Sequence, residues 1–239
     1  MDPPIARILK ELSGRYPLTM LGSWNERRVA PFRTLIGTIL SARSRDEMTD
    51  VITEALFRRY PTARALARAD RRAVEKILKP IGFYRTKAKY VTETAKRVEA
   101  LAGQIPRTIE GLMEFPGVGR KVANCVLVYA FGQQAIPVDT HVHRVSNRMG
   151  WMKTRTPEET ERRLVTLVPK RLWPVVNEAL VAHGKAVCKP IGPVCNACPV
   201  RRYCARVGVR PRKSRPGAPS TGPAPAASRR PPGRSSVLE

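Results

Sequence analysis

The chain has 239 residues and sets 44 Lys and Arg against 19 Asp and Glu, a net charge of +25. Apolar residues make up 42% of it, enough to bury a core, so wholesale disorder is excluded. No stretch approaches the roughly 18 apolar residues of a membrane span, and the N-terminal MDPPIARILKELSGRYPL lacks the apolar run of a secretory leader. A cytoplasmic protein is expected, and the charge calls for a polyanionic partner, because each phosphate neutralised by Lys or Arg releases condensed counterions. Nucleic acid fits this better than a membrane surface, although equally basic structural proteins exist.

In chain order, apolar residues recur at helical spacing over Ile5 to Arg15, Val29 to Ser41 and Asp46 to Tyr60. Ser44 with Glu47 reads as a capping box opening the third of these. Further helices are expected over Arg71 to Leu78, Arg85 to Leu101, Thr108 to Glu114, Arg120 to Tyr129 and Thr140 to Met149. Thr156-Pro157-Glu158-Glu159 marks another start, with Thr as cap and Pro at the first helical position, and Arg171 to Ala182 follows. Strand-like alternation is nearly absent, so the fold class is all-α. From Gly208 the last 32 residues hold seven Pro, seven Lys and Arg and one acid, a composition that cannot bury enough apolar surface to offset ordering its backbone. This tail carries +6, which leaves about +19 on the folded body.

Two places carry chemistry. Cys188, Cys195, Cys198 and Cys204 are spaced C-x6-C-x2-C-x5-C, which in a cytosolic protein reads as a metal site rather than a disulfide pair. Zinc and an iron–sulfur cubane both use four thiolates; the single C-x-x-C favours the cubane. His183, five residues upstream, could replace a thiolate, but with four Cys present it reads as structural or DNA-facing. Cys125 stands alone in an apolar helix as a small buried hydrophobe.

The second place is Phe115-Pro116-Gly117-Val118-Gly119-Arg120-Lys121, a tight turn running into a helix. Gly117 and Gly119 let backbone approach a ligand, and the helix start offers unpaired N–H groups to a phosphate. With a helix on either side this makes a helix–hairpin–helix, a non-specific clamp on a duplex backbone. Arg120 and Lys121 read either as two phosphate contacts or, for Lys121, as a nucleophile whose amine pKa is lowered by positive surroundings and partial burial. Asp139, in Val138-Asp139-Thr140-His141, reads on its own as a helix cap.

Hairpin, Lys, Asp and four-Cys loop in this order, with Leu40-Ser41-Ala42-Arg43-Ser44-Arg45-Asp46, resemble the endonuclease III family of helix–hairpin–helix DNA glycosylases over residues 5 to 207. The resemblance implies a two-lobed fold: a six-helix barrel over 24–133, and a second lobe of 1–23 with 134–207 that holds a [4Fe-4S] cluster on the four Cys, leaving 208–239 as the tail. It implies that Lys121 is the nucleophile and Asp139 the essential carboxylate of a bifunctional glycosylase and abasic-site lyase. The expected substrates are oxidised pyrimidines, such as thymine glycol, and abasic sites in double-stranded DNA. The protein is expected to act as a monomer at the nucleoid, with Gly117, Gly119, Arg120 and His141 facing DNA.

Family members fill the space of the extruded base with a Gln and a Leu; Arg43 and Phe83 stand at those positions here, and Phe83 reads equally well as a core aromatic. Arg could read an orphaned base and Phe could wedge by stacking. Two alternatives stay open: a thymine or uracil mismatch glycosylase of the same fold, and a non-catalytic DNA-binding module.

Overall fold

The computed structural model describes residues 4–209, and among these every regular element is helical. From residue 210 the basic, proline-rich tail lies outside the described residues.

Helix α1 (Ile5–Leu12) turns Ile5, Ile8, Leu9 and Leu12 to one buried face. Helix α2 (Met20–Glu26), which periodicity did not indicate, is capped by Thr19, whose hydroxyl accepts from the Gly22 N–H. Its Gly22 leaves room for the Glu178 carboxylate, which accepts from both the N–H and the hydroxyl of Thr19 at 2.6 Å; a Cβ there would lie 2.6 Å from that carboxylate and displace it.

Helices α3 (Pro31–Ser41), α4 (Asp46–Arg59), the unanticipated α5 (Ala63–Ala67), α6 (Arg71–Leu78), α7 (Tyr84–Ala100), α8 (Ile109–Met113) and α9 (Arg120–Phe131) surround one core. Its centre is Leu35, Ile36, Leu56, Leu66, Leu78, Val91 and Val126. The expected capping box at α4 does not form. Arg45 is the N-cap residue with no side-chain bond, and the Ser44 hydroxyl instead accepts from Lys87.

A second core gathers α1 with α10 (Thr140–Arg148), α11 (Pro157–Leu167) and α12 (Trp173–Ala186). The start of α11 follows its sequence pattern closely, with Thr156 accepting from Glu159 N–H and Glu159 accepting in return from Arg155 N–H. Helix α9 is apolar all round because it is covered on several sides: Val122, Val126 and Leu127 face the first core, while Cys125, Val128 and Tyr129 meet Met20, Leu21 and Trp24 of α2. Lys121 therefore starts on one of the most enclosed helices in the molecule.

Candidate active site and thiol cluster

The hairpin between α8 and α9 is built as the sequence indicates. Gly117 holds φ +76°, and a Cβ there would run into the Tyr90 ring at 2.4 Å; Gly119 caps α9 with nothing within 4 Å of its Cβ position, leaving the approach open.

Arg120 and Lys121 then diverge. Arg120 turns to the second lobe and grips Glu161 of α11, Nε lying 3.0 and 2.9 Å from the two carboxylate oxygens. Lys121 turns the other way, into a cleft of about 510 Å³ that it lines together with Asp139, His141, Arg43 and Asp46. The cleft thus brings together Lys121 and Asp139, 18 residues apart in sequence.

Asp139 is both cap and cleft residue. Its Oδ1 accepts from the N–H groups of His141 (2.8 Å) and Val142 (2.9 Å), so neither capping bond uses Oδ2. The Lys121 amine is held above its ordinary pKa by the Cys125 sulfur one turn along α9 and by Asp139 and Asp46, against the pull of burial. Burial in turn pushes the Cys125 thiol up. The expected lowering of the Lys121 pKa is thereby corrected. Arg120 turns away to Glu161, and Cys125, Asp139 and Asp46 are the groups that raise the amine's pKa.

His141 also lines the cleft; burial lowers its pKa, and its Nδ1 lies 3.1 Å from Arg144, whose guanidinium also reaches the Cys188 carbonyl at 3.0 Å. Lys185 of α12 and Asp46 of α4 pair across the two lobes at 2.6 Å. Arg43 and Phe83 stand at the surface, with Phe83 60% exposed, so it is not a core aromatic.

Cys188, Cys198 and Cys204 pack against the second core, and Cys195 opens the adjoining turn Cys195–Ala197. Burial pushes the Cys198 thiol up to about 11, and the neighbouring thiols Cys204, Cys188 and Cys195 add to it. Four thiols so placed ionise together only around a cationic group, which is the fit expected of a metal centre. Among the described residues no His, Cys, Asp or Glu group closes to the spacing of a single ion.

Two nitrogens already face these sulfurs: Arg148 Nη1 donates to Cys188 Sγ at 3.7 Å, and His183 Nε2 lies 3.7 Å from Cys198 Sγ. His183 is buried, which lowers its pKa to about 4, and its Nδ1 lies 2.9 Å from the Tyr16 hydroxyl. It supports the thiol loop rather than facing DNA.

Comparison with known proteins agrees with this geometry. Residues 36–170 match the family model described as "HhH-GPD superfamily base excision DNA repair protein". Endonuclease III of Thermotoga maritima is 43% identical over 201 residues, covering 84% of this chain and 92% of that protein. A trapped endonuclease III–DNA covalent intermediate with an estranged adenine superposes with a TM-score of 0.71 at 35% identity, over 74% of this chain and 84% of the other. A non-covalent endonuclease III–DNA complex does so with a TM-score of 0.76 at 32% identity, over 84% and 94%. A match over more than half of the chain, joined to such identity along nearly the whole of a relative, makes this protein a member of the HhH-GPD superfamily and a base excision repair DNA glycosylase of the endonuclease III family.

Proposed function

We propose that the protein removes oxidised pyrimidines such as thymine glycol from duplex DNA and cleaves the strand at the resulting abasic site, with Lys121 as nucleophile and Asp139 as its carboxylate. The observation that carries this is their convergence in one cleft, Asp139 keeping an oxygen outside its capping bonds.

A damaged base leaves the stack at a cost of a few kcal/mol, less than an intact pair requires. Lys121 loses its ammonium proton to solvent, and Asp139, remaining a carboxylate, stabilises the positive charge that develops on the sugar. The neutral amine bonds to the anomeric carbon, and the base departs with the glycosidic electron pair and takes up a proton. Ring opening gives a Schiff base; loss of the 2′ proton then expels the 3′ phosphate, and water releases Lys121.

Gly117 and Gly119 offer hairpin backbone to a phosphate. Arg120 can offer Nη1 there while its other nitrogens hold Glu161, and His141 forms one wall for the extruded nucleotide. Phe83 wedges into the vacated stack, and Arg43 reaches the edge of the orphaned base. We place this activity in a cytoplasmic monomer acting on DNA at the nucleoid. The two cores support the division into 24–133 and 1–23 with 134–207.

Cys188, Cys195, Cys198 and Cys204 would hold a [4Fe-4S] cluster, which when bound supplies positive charge that fixes the thiol loop. Equal amounts of iron and acid-labile sulfide in the purified protein are the expected result; stoichiometric zinc overturns it.

Borohydride should trap a covalent complex between the protein and abasic or thymine-glycol duplex, and Lys121→Gln should abolish it. Trapping of that variant at the wild-type rate rejects the assignment. Turnover of T·G and U·G mismatches with none of thymine glycol assigns the protein to mismatch repair instead.

A further inference from the structure

At the mouth of the cleft two non-glycine residues hold left-handed backbone, Arg43 at φ +54° and Phe83 at φ +58°. Such conformations are uncommon outside glycine and persist where the surroundings impose them. Here each residue helps impose the other. The Arg43 guanidinium lies over the Phe83 ring, 5.4 Å from its centroid. Behind them the turns nearly touch, since a Cβ on Gly82 would lie 3.7 Å from the Arg43 carbonyl.

Beneath this pair sits Lys87, only 4% exposed. Its backbone N–H closes the first turn of α7 on the Phe83 carbonyl at 3.0 Å, and its Nζ donates to the Ser44 hydroxyl at 2.7 Å. One residue thus ties down both turns. Burial alone lowers its amine pKa to about 8, with no carboxylate contributing. An apolar side chain would fill the same space without that desolvation cost, so what the lysine adds is the bond to Ser44.

We propose that Lys87 is a positioning residue for opposite-base reading: it fastens the Arg43 turn to the start of α7, so that Arg43 and Phe83 meet the orphaned base as one stacked unit. This rests on the extrusion of a nucleotide into the Lys121–Asp139 cleft. A guanidinium held by its stack presents a planar fork of donors. Guanine answers it with two acceptors, O6 and N7, whereas adenine has a donor at N6 beside N7. The fixed pair therefore selects for guanine opposite the lesion, and a loosened pair reads less sharply.

The test is single-turnover borohydride trapping by the full chain on abasic duplexes with G, A, C or T opposite, and on single-stranded abasic DNA. The wild type should favour G over A by roughly tenfold, the discrimination of one good bidentate contact. Lys87→Met and Ser44→Ala should each bring that ratio to within about twofold, leave the single-stranded rate unchanged, and find Ser44→Thr restoring the preference.

Variants that keep the wild-type ratio, or a wild type with no preference, overturn the inference. So does a loss of equal size on every substrate, single strands included, which marks a purely structural role. A wild type that traps no abasic substrate rejects the lyase reading itself, and the inference falls with it.

Discussion

Lys121 must shed a proton before it attacks, and its neighbours resist that loss. With its pKa above the ordinary lysine value, the neutral fraction grows as pH rises. Trapping on a preformed abasic site should therefore climb steadily from neutrality into the alkaline range. Asp139→Asn keeps a good cap but removes a charge that holds the ammonium, so its rise should begin at lower pH. Identical profiles would remove Asp139 from control of the amine.

The sequence displays Lys121 and Asp139 because motif spacing records them. It conceals Lys87, which lies in a charged amphipathic stretch and resembles any solvated lysine until burial is seen. It also conceals the sign of the Lys121 shift, which depends on Cys125, Asp139 and Asp46 lying close to the amine.

Among the elements, α9 joins the lobes through that ion pair. Glu161 is nearly buried and holds Arg120 by several bonds, which keeps the guanidinium protonated beyond its usual range. Glu161→Gln should lower unfolding stability by about 1 kcal/mol, a figure discounted for the half-exposed arginine, as thermal denaturation would show. An unchanged melting temperature would mean that the pair contributes nothing net.

Helix ends with a strong cap, such as Thr156, were legible. The α2 helix was not: MLGSWNE holds a mid-helix glycine and poor helix formers, and it is helical because Trp24 is buried and Gly22 admits the Glu178 carboxylate. Ser44 failed as a cap for a similar reason, a distant lysine having claimed its hydroxyl.

At the scale of the whole molecule, the surplus charge concerns how DNA is found, and seven of its Lys and Arg lie in 210–239. Removing that segment should flatten the dependence of log affinity on log salt for undamaged duplex by at most about 6 units of slope. The trapping rate at saturation should not change; an unchanged slope would show that the tail does not touch DNA. The all-helical architecture was legible from periodicity. The joining of both ends of the body in one core was not legible from periodicity, which carries no long-range packing; only the family resemblance implied it.

That joining governs the order in which the protein can form during synthesis. The first core is complete once α9 has left the ribosome, but α1, made first, has its apolar partners on α10 and α12. At ordinary elongation rates Ile5, Ile8, Leu9 and Leu12 wait roughly 10–30 s for them. Through that interval the nascent chain carries a finished barrel beside an uncovered greasy helix, which a chaperone must shield or a neighbouring chain can seize. The thiol loop emerges later still, so the proposed cluster could be inserted only after α12 has been made.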